Sequence, residues 1–158
     1  MFYEKKIVWI AIYPKSGNTW VRAFLSMAVY GRLNLNDLKI RSLASHMKDY
    51  VPKDITIEAR GDIKFYLNNA QECLSNNVPE GTRLLMKTHN INGEIGGIDF
   101  PKIDNTFSAI YIIRDPRDVA ISYSNYFDLK IEQVIKNMSN PSNLICGKNL
   151  SKYECISS

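Results

Sequence analysis

Three short strings in this sequence carry side chains suited to work on an anion. The first is Tyr13-Pro-Lys-Ser-Gly-Asn-Thr-Trp20. A tight loop between a strand and a helix aims several backbone N–H groups at one point, and the helix dipole adds partial positive charge there. Gly17 lets the backbone come close, Ser16 and Thr19 add hydroxyl donors, and Lys15 adds a full charge. That is chemistry for a phosphate. The second string is Arg114-Asp-Pro-Arg-Asp-Val-Ala-Ile-Ser-Tyr123. Arg114 suits bidentate binding of a second anion, and Ser122, two turns into the next helix, can reach back to it. The competing reading pairs Arg114 with Asp115 or Asp118. The third string is Lys87-Thr88-His89. A histidine at a strand end can act as general base near neutral pH, or serve as a bonded structural group. His46 has no such context and reads as structural or surface.

The first string differs from an ATP-type phosphate loop, which reads G-x-x-x-x-G-K-[ST]. Aligned on Gly17, Asn18 stands where that lysine belongs, and the lysine has moved ahead of the glycine to Lys15. No acidic residue closes the next strand to hold the Mg²⁺ that ATP chemistry needs. For a group that carries less charge than paired β- and γ-phosphates, one well-placed lysine can serve without a metal.

The elements that must position these strings follow from the apolar pattern. Lys6 to Tyr13 is nearly all apolar and β-branched or aromatic, as in a strand buried on both faces of a parallel sheet. Trp20 to Tyr30 reads as a helix stopped by Gly31. Asn36 to Met47 is expected to be helical, and Pro52 to Gly61 a loop with a short extended piece. Ile63, Tyr66, Leu67, Ala70 and Leu74 recur at helical spacing, so Ile63 to Leu74 is read as helix. Asn76 to Gly81 is a turn cluster. Arg83 to His89 and Thr106 to Ile113 read as two more buried strands, with Asn90 to Asp104 as loop between them. Asp115 then caps a helix with Pro116 at its first position, running to about Phe127. A further helix covers Ile131 to Met138, and a polar tail fills 139–158. Strands alternating with helices give an α/β domain, here a P-loop-like parallel sheet flanked by helices, over residues 1–138. Ligands in such sheets bind beyond the carboxyl ends of the strands, which is where all three strings fall.

The 158 residues are enough for one domain, and 45% hydrophobic content is ordinary for a globular one. The net charge of +4 fits an anionic small ligand and is too weak to argue for nucleic acid. Cys73, Cys146 and Cys155 show no CxxC spacing, so neither a disulfide framework nor a zinc site is expected, and a reducing cytoplasm is the natural compartment. The apolar run Ile7 to Tyr13 is too short to span a bilayer, and no secretory signal precedes it.

Together the three strings resemble the cytosolic and bacterial PAPS-dependent sulfotransferases, where PAPS is 3'-phosphoadenosine-5'-phosphosulfate. Tyr13 to Trp20 is similar to that family's 5'-phosphosulfate loop, Y-P-K-S-G-T-T-W, departing at Asn18. Arg114 to Tyr123 is similar to its 3'-phosphate motif, R-N-P-x-D-V-x-x-S, departing at Asp115. Lys87-Thr-His89 matches its K-T-H. The resemblance implies a role for each position. Lys15 contacts the bridging oxygen, and Ser16, Gly17, Asn18 and Thr19 cradle the 5'-phosphate. Trp20 stacks on adenine. Arg114 and Ser122 hold the 3'-phosphate, His89 takes the acceptor proton, and Lys87 helps position the sulfuryl group. It implies transfer of that group to a hydroxyl or amine without a metal, leaving 3',5'-ADP. The acceptor is a small molecule or glycan; no nucleic-acid or membrane partner is expected, and homo-oligomer formation stays open.

The family also carries an R-K-G-x-x-G-D-W-K-type segment near its C-terminus. No such string occurs here, where the late basic residues are Lys148 and Lys152 in the polar tail. The expectation is therefore the N-terminal part of a sulfotransferase, truncated at the C-terminus. Two alternatives stand beside it: a nucleotide-binding fragment without turnover, and an ATP-dependent P-loop kinase.

Overall fold

A computed structural model describes residues 5–31, 34–35, 38–42, 63–90, 92–95, 97–140, 144–145 and 156–157. Strand β1, Ile7–Ile12, forms its centre. It pairs in parallel with β2, Leu84–Thr88, on one side. After a hairpin of β3, Gly93–Ile95, and β4, Ile98–Phe100, comes β5, Thr106–Ile112, which pairs in parallel on the other side. The sheet order is β2-β1-β5. The central strand has two neighbours and is the apolar heart of the sheet: Ile7 and Ile10 are fully buried and Trp9 nearly so. Full burial of side chains this size contributes about 1.5–3 kcal/mol each. Trp9 packs edge-on against Phe100 with centroids 5.1 Å apart, and its indole N–H donates to Thr106 Oγ1 at 3.0 Å. That one residue ties β1 to both the hairpin and β5.

Helix α1, Asn18–Tyr30, leaves β1 through the loop. Gly17 precedes it at φ 108°, and Gly31 ends it at φ 63°, with the Gly31 N–H donating to Met27 O. Both positions need left-handed backbone, which glycine adopts without steric cost. Helix α2 is Ile63–Asn77, α3 is Pro116–Phe127 and α4 is Ile131–Met138. Helices α3 and α4 close on each other through Ala120, Tyr123 and Val134, with Tyr13 and Phe127 packed alongside. Asp115 caps α3 by accepting from the Arg117 N–H at 2.9 Å, with Pro116 at the first position, as the sequence leads one to expect.

Five expectations need correction. Leu38–Ser42, inside the stretch expected as helix from Asn36 to Met47, is not helical: it bends at Lys39 and Ile40, and Ser42 bridges in parallel to Lys87, whose N–H donates to Arg41 O at 3.1 Å. The open edge of β2 offers hydrogen bonds that outweigh a weak helical pattern. The rest of that stretch and Pro52 to Gly61 lie outside the described residues. Helix α2 runs past Leu74 to Asn77, whose side-chain amide donates to Cys73 O. The loop after His89 contains the β3–β4 hairpin, turning at Gly97 with φ 83°. The third strand is not buried. Phe107, Ile110 and Tyr111 of β5 are exposed, and among the described residues β5 ends the sheet order with β1 as its one strand neighbour. In the polar tail, β6, Leu144–Ile145, pairs antiparallel with β7, Ile156–Ser157.

Candidate functional site

Because β1, β2 and β5 are parallel and adjacent, their carboxyl ends form one rim. The Lys15 loop leaves the middle of that rim, His89 follows β2 on one side, and Arg114 follows β5 on the other. Two side chain–backbone hydrogen bonds draw the flanking ends towards the middle. His89 Nδ1 lies 2.6 Å from Ile12 O, and Arg114 Nη1 donates to Lys15 O at 3.1 Å. A carbonyl oxygen only accepts, so Nδ1 is the protonated nitrogen in the first contact. The lone pair of the neutral ring is then on Nε2.

The loop itself is wound tightly. Lys15 sits at φ 68° and Gly17 at φ 108°. A lysine in left-handed backbone is uncommon and costs of order 1–3 kcal/mol, so the surrounding contacts hold it there. Ser16 is buried, its N–H donating to Tyr13 O. No side chain caps α1, and Val21 is the first residue of that helix to donate to a backbone carbonyl, that of Gly17. The N–H groups of Asn18, Thr19 and Trp20 therefore face the loop without intrahelical acceptors. Asn18 Oδ1 is buried with no hydrogen-bond partner. Nothing lies within 4 Å of where a Cβ on Gly17 would project. Trp20 is 83% exposed, its indole face open at the helix start.

Lys15 Nζ lies 3.8 Å from the centroid of the Tyr126 ring. Partial burial lowers the pKa of this ammonium from the usual lysine range. Arg114 also faces Asp118, Nε to Oδ2 at 3.7 Å, whereas Asp115 is taken by Arg117 at 2.6 Å. Of the two ion pairs open to Arg114, the structure contains the Asp118 one, in a long and exposed form. Ser122 is half-buried on α3. Lys87 comes one residue before the end of its strand. It lies within β2 opposite Ile10, its side chain on the face opposite Met86 and Thr88. Thr88 is buried, its hydroxyl accepting from the Asn90 N–H at 3.0 Å. Beside His89 opens a mostly apolar cavity of about 650 Å³, bordered by Trp9, Tyr13, Phe100 and Tyr111. Tyr126 is the site residue that sequence reasoning misses; the available signal is its spacing of four from Ser122, one helical turn along the same face.

A family model described as Sulfotransferase domain matches residues 5–153. The chain belongs to that family. No curated protein matches it. Membership in the sulfotransferase family agrees with the α/β fold and its parallel sheet, and makes this a transferase-type domain. The family generally uses PAPS and small-molecule acceptors. Among the described residues no three His, Cys, Asp or Glu side chains gather as a metal site, and no helix is long and apolar enough to cross a membrane.

Proposed function

We propose that this sulfotransferase-family chain moves a sulfuryl group from PAPS to a hydroxyl or amine of a small molecule in the cytoplasm, with His89 as general base and no metal. The observation that carries this reading is the pair of hydrogen bonds by which His89 reaches Ile12 O at the end of β1 and Arg114 reaches Lys15 O in the loop that follows. They gather a base, a loop cation and a second anion-binding cation on one rim.

The loop residues fit a phosphate-containing donor. The unpartnered N–H groups of the first turn of α1, the open space over Gly17 and the orphaned Asn18 amide all lie together on the loop. Turning that amide half a revolution presents its N–H₂ donors instead of Oδ1. PAPS supplies the sulfuryl group, its S–O bond to the 5'-phosphate breaking as the acceptor's bond to sulfur forms. Ser16, Gly17, Asn18 and Thr19 hold the 5'-phosphate, and Trp20 offers its exposed indole to the adenine. Arg114, with Ser122, holds the 3'-phosphate. Its guanidinium has five N–H donors, so the bond to Lys15 O leaves others for the ligand. Lys15 stabilises the negative charge that grows on the departing phosphate oxygen, a contribution confined to the transition state. His89 receives the acceptor proton at Nε2, the nitrogen that the bond to Ile12 O leaves unprotonated. The acceptor enters by the cavity beside His89. Lys87, two residues before His89, helps position the sulfuryl group.

The displaced lysine separates this reading from an ATP-dependent kinase, since Asn18 occupies the lysine position of an ATP-type loop. The test is incubation with labelled PAPS and panels of phenols, alcohols, amines and sugars, with chelator present. Label transfer with release of 3',5'-ADP is the expected result. Consumption of ATP with Mg²⁺, and none of PAPS, would overturn it.

A further inference from the structure

Lys15 carries the loop's charge, yet its partner is an aromatic ring. Its Nζ lies 3.8 Å from the Tyr126 centroid, and among the described residues no carboxylate pairs with it. Tyr126 stands on the last turn of α3, four residues after Ser122. Its ring has aromatic neighbours: Phe127 meets it edge to face at 4.8 Å and 87°, and Phe127 lies 4.5 Å from Tyr123. Tyr123 belongs to the cluster that locks α3 to α4. Tyr126 itself remains 60% exposed, so packing alone gives its ring little to do.

We propose that Tyr126 is a positioning residue for Lys15, holding the ammonium over its ring at the edge of the anion site. The inference rests on the sulfuryl-transfer reading for its consequence, though not for the contact. A carboxylate in the same place would neutralise the lysine, occupy its N–H donors and repel an incoming anion. An aromatic face attracts the cation through its quadrupole and takes no hydrogen bond in the ordinary sense, so the donors stay available. The attraction at such an exposed site is weak, which lets an arriving anion draw the ammonium away. The partial desolvation that lowers the Lys15 pKa fits a charge resting against a ring rather than in open water.

The test compares Tyr126→Phe and Tyr126→Leu with the parent chain. Lysine ε-methylene NMR signals, assigned through Lys15→Arg, report the contact without any turnover. The expected result is an upfield ring-current shift of the Lys15 signal in the parent and in Tyr126→Phe, lost in Tyr126→Leu. In turnover assays, kcat falls about two- to fivefold in Tyr126→Leu and is restored in Tyr126→Phe, while 3',5'-ADP affinity is unchanged in both. An unshifted Lys15 signal in the parent, or one that persists in Tyr126→Leu, overturns the proposal. So does loss of the shift with kcat untouched. A parent chain with no turnover at all counts against the sulfotransferase reading, and the NMR comparison still decides the position of Lys15.

Discussion

The imidazole of His89 donates through Nδ1 to the carbonyl oxygen of Ile12, 2.6 Å away, across the gap between β2 and β1. This bond fixes the ring's plane and tautomer together, leaving Nε2 as the proton-accepting nitrogen. His89→Ala is expected to lower kcat by ~10²–10⁴ with 3',5'-ADP affinity near the parent value. The lost hydrogen bond removes about 1 kcal/mol of stability. His89→Asn keeps a donor for Ile12 O but has no base, so it melts like the parent and stays inactive. An active His89→Asn variant would refute the assignment.

Lys15 tests charge against backbone. The residue sits at φ 68°, so two substitutions separate its roles. Lys15→Gly relieves the left-handed backbone, and Lys15→Ala does not. Both remove the ammonium and should lower kcat by ~10²–10³. The glycine variant should be the more thermostable of the two. If loss of activity instead followed stability, the lysine would be a structural residue.

Arg114 and Arg117 lie three residues apart and hold different partners. Arg114 bonds the loop at Lys15 O, and Arg117 bonds Asp115. A charge-assisted hydrogen bond to a phosphate contributes about 1.5–3 kcal/mol, so Arg114→Ala should weaken 3',5'-ADP binding roughly 10- to 100-fold. Binding of 5'-AMP, which lacks the 3'-phosphate, should barely change. Arg117→Ala should alter neither. Calorimetric titration with the two nucleotides decides, and equal losses for both would move the 3'-phosphate away from Arg114.

The three long strands, the end of α1 and the start of α3 were legible because each has a local cause. Ile7 to Ile12 is apolar throughout, Gly31 stops α1 and Asp115-Pro116 begins α3. The rim was legible as well, since parallel strands bring their loops together wherever the order places them side by side. Other features depend on neighbours that a sequence does not name. Nothing in Leu38 to Ser42 announces that the edge of β2 will take it up. The β3 and β4 strands have three residues each, too few for a period to register. The apolar run of β5 looks the same whether its outer side is covered or, as in Phe107 and Tyr111, exposed. The placing of Tyr126 over Lys15 joins residues far apart in the chain, and no spacing rule reaches that far.

Gly17 gives a test of backbone approach. Its φ of 108° strains any other residue, although a Cβ there would meet nothing within 4 Å. Gly17→Ala should cost about 1–2 kcal/mol of stability from backbone conformation alone. Its methyl group would project into the space where the phosphate is held, so 3',5'-ADP affinity should fall as well. A destabilised variant that binds 3',5'-ADP as tightly as the parent would place the phosphate elsewhere.

Alkaline pH tests the packing that supports the loop. Tyr13, at the start of the loop, packs against the cluster containing Tyr123. Burial pushes the Tyr123 phenol up from 10.0 to about 12, and the nearby Tyr13 adds to the shift. Burial raises Tyr13 too. The phenolate is therefore disfavoured in the folded chain and ordinary in the unfolded one. The contribution of Tyr123 to stability is complete below pH 10 and is lost as pH climbs towards 12, because the unfolded state releases its proton first. The melting temperature should fall across that interval, and in Tyr123→Phe the fall should be shallower. Tyrosinate absorbance of the folded chain should include a phenol that titrates well above 10 and is lost in Tyr123→Phe. Because Tyr13 joins this packing to the phosphate loop, 3',5'-ADP binding should decline with the same pH dependence and recover on return to neutral pH. A Tyr123 phenol that ionises near 10 in the folded chain, with no pH-linked loss of stability, would show that the joint between the loop and α3 is open to water.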